Sequence, residues 1–144
     1  MLSPNTGRPM RLVEGAPATY TLRGQQFELG GPCWECDSTG ERFMTDEQEF
    51  AVQEQLHQRW REHHGLGRET LQARRRALGL TKAEAAALLG LGRARYRAYE
   101  RTHQLPSPAH ARLLALLLSE AGVAALREAG GAALPPALHQ KLRR

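Results

Sequence analysis

Leu80-Thr81-Lys82-Ala83-Glu84-Ala85-Ala86-Ala87-Leu88-Leu89-Gly90-Leu91-Gly92-Arg93-Ala94-Arg95-Tyr96-Arg97-Ala98-Tyr99-Glu100-Arg101 decides the fold. Thr81 followed three residues later by Glu84 is a capping box, so a helix begins there and runs to Leu89. Gly90-Leu91-Gly92 is a tight break, and a further helix spans Arg93–Arg101. On that helix Tyr96 and Tyr99 lie three apart and share a face that packs inward. Arg93, Ala94, Arg95, Arg97, Ala98 and Arg101 take the remaining surface. Ala85 falls where the two helices must approach closely, and its size suits that position. A capped helix, a glycine-containing turn and a helix with a narrow apolar seam and a basic exposed side make a helix-turn-helix. Its second helix enters the major groove, roughly 12 Å wide. Thr81 and Lys82, at the start of the bracing helix, complete the candidate DNA-contacting set.

Outward from this centre the chain continues to read as helix. Arg68–Leu78 carries Leu71 and Leu78 and is closed by Gly79. Ser107 or Pro108 opens a helix to about Leu118, whose Leu113, Leu114, Leu116 and Leu117 give a broad apolar face. Residues 120–129 form a fifth helix, and Gly130-Gly131 to Pro135-Pro136 break it, leaving residues 131–144 as a basic tail. In front, the pattern from Arg11 to Leu29 is strand-like. Thr19–Leu22 and Gln25–Leu29 alternate on either side of Arg23-Gly24 and predict a hairpin, and Glu41–Met44 suits one more short strand. Thr45 with Gln48 is a second capping box, opening a helix from Asp46 to about His64 with Phe50, Leu56 and Trp60 at apolar positions. Gly65 and Gly67 end it. The expected architecture is α+β: a small N-terminal β-hairpin, zinc-ribbon-like domain with a following helix over residues 1–65, then an all-α five-helix domain over 66–130.

Charge changes sign at the same boundary. Residues 1–65 hold 6 Lys/Arg against 10 Asp/Glu, and residues 66–112 hold 10 against 3, within a net charge of +5. One module therefore suits a polyanion and the other does not. No run of 18 apolar residues crosses a membrane, and the N-terminus lacks the basic-then-apolar order of a secretory signal. A cytoplasmic protein is expected. No Gly-rich phosphate loop or nucleophile motif is present, and the Glu and His residues lack paired spacing, so an enzyme is not expected.

Residues 80–118 resemble the Xre-type helix-turn-helix, and the best likeness is the MqsA (YgiT-type) antitoxin family. Leu80-Thr81-Lys82-Ala83-Glu84-Ala85 is similar to that family's "LTQKEA", Tyr99-Glu100-Arg101 to its "RYEKG", and Pro106 with Leu113-Leu114 to its "P…LL". Tyr20-Thr21-Leu22-Arg23-Gly24 resembles its "YTFRG", and Cys33-Trp34-Glu35-Cys36 its second CxxC. The resemblance implies an N-terminal zinc-binding, toxin-neutralising domain. It also implies a C-terminal helix-turn-helix that dimerises on a palindromic operator and represses its own operon. Two departures stand out. Ser3-Pro4-Asn5-Thr6 lies where the family has CPxC, and Ala94 and Ala98 lie where its recognition helix offers an Asn and an Arg to bases. By the general geometry of the motif, Arg93 reads guanine, Ala94 and Ala98 meet thymine methyls, and Arg95, Arg97 and Arg101 meet phosphates.

The metal question rests on Cys33 and Cys36, the chain's two cysteines. A structural zinc site wants four N/S ligands, and the first ligand pair is missing. A site completed by His57, His63 or His64, one shared across a dimer, and a vestigial knuckle held by Tyr20, Leu22, Phe27, Leu29 and Trp34 stay open. Zinc is thus the one cofactor in play. The partners expected are double-stranded DNA, a second copy of the chain, and a toxin held by the N-terminal domain. The alternatives are a stand-alone helix-turn-helix regulator without a toxin, and an interaction module whose basic half docks an acidic partner.

Overall fold

The computed structural model describes every residue except Ala16 and Arg144. The chain is α+β and divides into two compact units, Met1–Arg59 and Trp60–Arg144.

The first unit holds five short strands: β1 (Met10–Glu14), β2 (Ala18–Leu22), β3 (Gln25–Leu29), β4 (Pro32–Cys36) and β5 (Arg42–Phe43). β2 and β3 form the expected hairpin, with Tyr20 opposite Phe27 and Leu22 opposite Gln25. Arg23 and Gly24 both take positive φ, which is the two-residue turn whose twist matches paired strands. Phe27 and Leu29 are buried from this ribbon, while Tyr20 and Leu22 are only partly covered. A second, three-stranded antiparallel sheet has the order β1-β4-β5. Its β1 and β4 pair over their whole length, from Met10 opposite Cys36 to Glu14 opposite Pro32.

Helix α1 (Asp46–His63) opens with the expected reciprocal cap: the Gln48 N–H donates to Thr45 Oγ1 at 3.3 Å, and the Thr45 N–H donates to Gln48 Oε1 at 2.9 Å. Its buried stripe is Val52, Leu56 and Trp60, spaced by four as one helical face requires. Phe50 departs from expectation. It is 65% exposed, because a residue two before Val52 is rotated about 200° from that stripe.

The second unit takes the last residues of α1 and adds α2 (Arg68–Ala77), α3 (Lys82–Leu89), α4 (Arg93–Arg101), α5 (Pro108–Leu117), α6 (Glu120–Gly130), a 3₁₀ turn (Gly131–Ala133) and α7 (Pro136–Leu142). Leu71, Ala85, Tyr96, Tyr99, Leu114, Leu117 and Leu138 are the core, all without appreciable exposure. The end of the chain differs from the expected basic tail. Residues 136–142 are helical, Leu138 is fully buried, and Lys141 Nζ lies 2.6 Å from Glu84 Oε1 of α3. Among the described residues, no single helix is long and apolar enough to cross a membrane.

Candidate nucleic-acid interface

Helix α3 starts at Thr81, whose Oγ1 accepts from the Glu84 N–H at 3.1 Å while Glu84 Oε1 accepts from the Thr81 N–H at 2.9 Å. It stops at Gly90, which sits at φ 72°, ψ 26°. That left-handed conformation is open to glycine without a Cβ penalty and lets the chain reverse within three residues. Gly92 then caps α4 with no side-chain bond to its free N–H groups. Ala85, fully buried, fits the small-residue role expected of it, and α4 packs on both α2 and α3.

On α4 the seam is as expected: Tyr96 and Tyr99 are buried. Tyr99's hydroxyl is 2.7 Å from His110 Nδ1 on α5, and burial pushes the Tyr96 phenol far above its ordinary pKa. Arg93, Ala94, Arg95, Arg97 and Arg101 are exposed, and Ala98 is half-covered. Among the described residues none of the four arginine side chains forms a salt bridge. On α3, Thr81 is exposed and Lys82 partly so. The fold thus brings the two Tyr anchors together under one basic surface that ion pairs leave uncompensated.

Two arginines that brace this surface carried no local sign in the sequence. Arg75 of α2 is buried and grips Glu100 of α4 with both nitrogens, Nε to Oε2 at 2.8 Å and Nη2 to Oε1 at 3.1 Å. Its Nη1 donates to the Leu80 carbonyl at 3.0 Å. The bond to the Glu100 carboxylate raises the guanidinium's pKa. Glu100 is therefore not a stray acid on a basic helix but the tether of α4 to α2. Arg61, from the end of α1, is 1% exposed and donates to backbone carbonyls. Nε donates to Leu66 O at 3.0 Å, Nη1 to Thr102 O at 2.8 Å and Nη2 to Tyr99 O at 2.6 Å. Burial lowers its pKa to about 10. It supplies a cation to the carbonyl end of α4, where the helix dipole is negative. No spacing marks the contacts to Glu100, Tyr99 and Thr102, because these lie 25, 38 and 41 residues away in the chain.

Cys33 and Cys36 are not brought together. Both are buried, but they stand three apart on β4, and side chains alternate along a strand, so they point to opposite faces. Cys33 lines a small cleft with Leu29, Met44 and Val52. Cys36 lies 3.2 Å from Ser38 Oγ and 3.9 Å from Thr6 Oγ1. Among the described residues no three His, Cys, Asp or Glu side chains could hold a metal ion. The donor set does not fit zinc: the histidines of α1 do not join either thiol, and hydroxyls are not thiolate substitutes.

The three-stranded sheet carries a second surface of interest. Leu12 is opposite Trp34, and Trp34 is opposite Phe43, so the three form one row on one face. Leu12 is 57% exposed and Phe43 38%. The other face carries charge that is already paired: Arg11 with Asp37 at 2.9 Å and Arg42 with Glu35 at 3.8 Å.

Residues 71–119 match the helix-turn-helix family. No curated protein matches the chain. The match spans α2 to α5 and so contains the turn and the arginine-bearing helix just described. Residues 71–119 are thus a helix-turn-helix of the kind that binds DNA in transcriptional regulators.

Proposed function

We propose that the protein is a repressor that binds a palindromic operator in its own promoter as a homodimer, and that it is the antitoxin of a type II toxin–antitoxin pair acting in the cytoplasm. The observation that carries the DNA half is the surface of α4, where four exposed arginines, without ion-pair partners among the described residues, overlie a buried tyrosine seam. Arg93, at the first position of α4, is the base reader, bidentate to guanine O6 and N7, and Ala94 and Ala98 meet thymine methyls. Arg95, Arg97 and Arg101, with Thr81 and Lys82 at the start of α3, hold phosphates and set the register. Two operator half-sites follow from two-fold symmetry.

The toxin half rests on the likeness to the MqsA family and on the first unit's surface. A row of exposed Leu12 and Phe43 flanking half-buried Trp34 is the kind of aromatic-rich patch that anchors protein partners. The unit around it holds 5 Arg against 9 Asp/Glu, which suits a basic partner.

The test is binding to the duplex upstream of the gene, against a scrambled duplex, at two salt concentrations. Selective binding is expected, with log K falling against log salt by about 0.9 per phosphate neutralised. Equal, weak binding to both duplexes would instead mean that the basic helix docks an acidic protein. For the toxin half, the product of the adjacent reading frame should co-purify with the full chain. A neighbour without toxicity or without binding would leave a stand-alone regulator.

A further inference from the structure

Two turns of the first unit are built bond for bond alike. In Ser3–Arg8, the Ser3 N–H donates to the Arg8 carbonyl and the Gly7 N–H to the Ser3 carbonyl, both at 2.8 Å. In Cys36–Glu41, the Cys36 N–H donates to the Glu41 carbonyl and the Gly40 N–H to the Cys36 carbonyl, again both at 2.8 Å. Gly7 and Gly40 take φ 68° and 70°, which a residue with a Cβ rarely adopts. The first side chain of each turn accepts from the backbone N–H groups two and three residues on. Ser3 Oγ receives Asn5 and Thr6 at 3.3 Å each, and Cys36 Sγ receives Ser38 and Thr39. Each turn has threonine just before its glycine, at its fourth position. The turns meet at one end of the β1–β4 pair, where Met10 is opposite Cys36. Thr6 Oγ1 lies 3.9 Å from Cys36 Sγ, and the Ser38 hydroxyl lies 3.2 Å from that sulfur. Asn5 Nδ2 crosses to Glu41 Oε1.

A side-chain acceptor that receives two backbone N–H groups in a tight turn is how a protein seats a thiolate for a metal, and two such turns facing each other supply a tetrahedral set. We infer that Ser3, Thr6, Cys36 and Thr39 occupy the four ligand positions of a paired-turn zinc site whose metal has been replaced by hydrogen bonds. The pairing differs from the one that the Cys33-Trp34-Glu35-Cys36 spacing suggests: Cys36 opens its turn rather than closing one, and Cys33 is a core residue of the strand before it. Ser3 is buried without charge, and Cys36 is fully buried, so each anchor position is filled and satisfied without an ion. The first unit therefore keeps its form without zinc, and its partner binding is indifferent to chelators and to zinc supply.

Three forms of the full chain test this: wild type, Ser3→Cys/Thr6→Cys/Thr39→Cys, and Ser3→Cys/Thr6→Cys with Thr39 intact. Each is titrated with Co²⁺, read by its thiolate charge-transfer and d–d bands, and then with Zn²⁺ in competition. The triple variant should take up one metal per chain with a tetrahedral four-thiolate spectrum, and zinc should raise its melting temperature. Wild type should bind none, and its melting should not move with a chelator. Equal four-thiolate binding by the double variant would make Cys33 and Cys36 the second ligand pair and overturn the assignment. Failure of the folded triple variant to bind would overturn it too. Should the triple variant not fold, the wild type decides: zinc retained through purification, or a chelator-sensitive melt, sinks the inference.

Discussion

The two units solve the same problem, fixing a small core, by different means. The second unit buries a continuous apolar interior from six helices and locks it with an internal ion pair, Arg75–Glu100. The first unit has strands of five residues or fewer and far less apolar surface to bury. Its ends are held by turns whose backbone and side-chain groups satisfy one another. A helical face needs only its own sequence and one neighbour to be stable, whereas short strands need partners brought from elsewhere in the chain. The halves should therefore break differently: the helical unit by unpairing a buried charge, the sheet unit by disturbing a turn.

The largest effect expected is on the buried pair. Glu100→Ala leaves Arg75 charged and desolvated, and removing one partner of such a pair costs about 3–5 kcal/mol. Urea unfolding followed through Trp60, in a Trp34→Phe background, should show the second unit destabilised by that amount. Replacing both residues with apolar side chains of similar volume should restore much of the loss, since the penalty comes from the orphaned charge. A loss below about 1 kcal/mol would place the pair in the class of screened surface bridges and remove the ion pair from the comparison.

The next effect leaves stability alone and reads function. Arg93→Ala should cost roughly 1–3 kcal/mol in operator binding and relax preference at one base position. Arg97→Ala should weaken operator and scrambled duplex together and lower the salt slope by about one phosphate. The two substitutions thus separate reading from positioning on one exposed helix, measured by fluorescence anisotropy. A selective loss with Arg97→Ala, or an unchanged preference with Arg93→Ala, would rotate the assigned reading face of α4.

How much of this was legible in the sequence follows from the range of the signals. The ends of α4, the Thr81–Glu84 and Thr45–Gln48 boxes and the Arg23-Gly24 turn are written within four residues of where they act, and each lies where the pattern put it. The Tyr96–Tyr99 seam was legible for the same reason. Arg75–Glu100 and the Arg61 carbonyl contacts were not, because each joins residues far apart in the chain and neither breaks a local pattern. Phe50 lies off the buried stripe because an 18-residue helix with few apolar side chains admits more than one stripe, and only packing selects Val52, Leu56 and Trp60. Helix α7 has seven residues and one fully buried side chain, too little for periodicity to separate it from a tail. In the first unit, the spacing of Cys33-Trp34-Glu35-Cys36 reads as a ligand pair, yet strand pairing with β1 settles which way each thiol points.

A smaller effect compares one motif in both units. Thr81→Ala and Thr45→Ala each remove a helix-capping hydroxyl, and each should cost about 1 kcal/mol. Equal losses would show that capping is a local quantity that the surrounding architecture does not amplify. A much larger loss for Thr45→Ala would mean that the start of α1 also orders the sheet unit, and thermal melts of the two variants would show it as a lowered first-unit transition.

The smallest effect is a pH dependence confined to the sheet unit. Hydrogen bonds from the Ser38 and Thr39 hydroxyls and backbone N–H groups lower the Cys36 thiol from its ordinary 9.0 to about 6. A group whose pKa is lower folded than unfolded favours the fold in its deprotonated form. Its contribution is therefore complete above pH 9, shrinks as pH falls from 9 towards 6, and is absent below 6. Followed through Trp34 in a Trp60→Phe background, the unfolding midpoint of the first unit should rise from pH 6 to pH 9. Cys36→Ser should flatten that rise, because a serine hydroxyl does not ionise in this range, while Cys33→Ser should leave it in place. A rise that survives in Cys36→Ser would trace to another titrating group and would separate the thiol's hydrogen bonds from the stability of the paired turns.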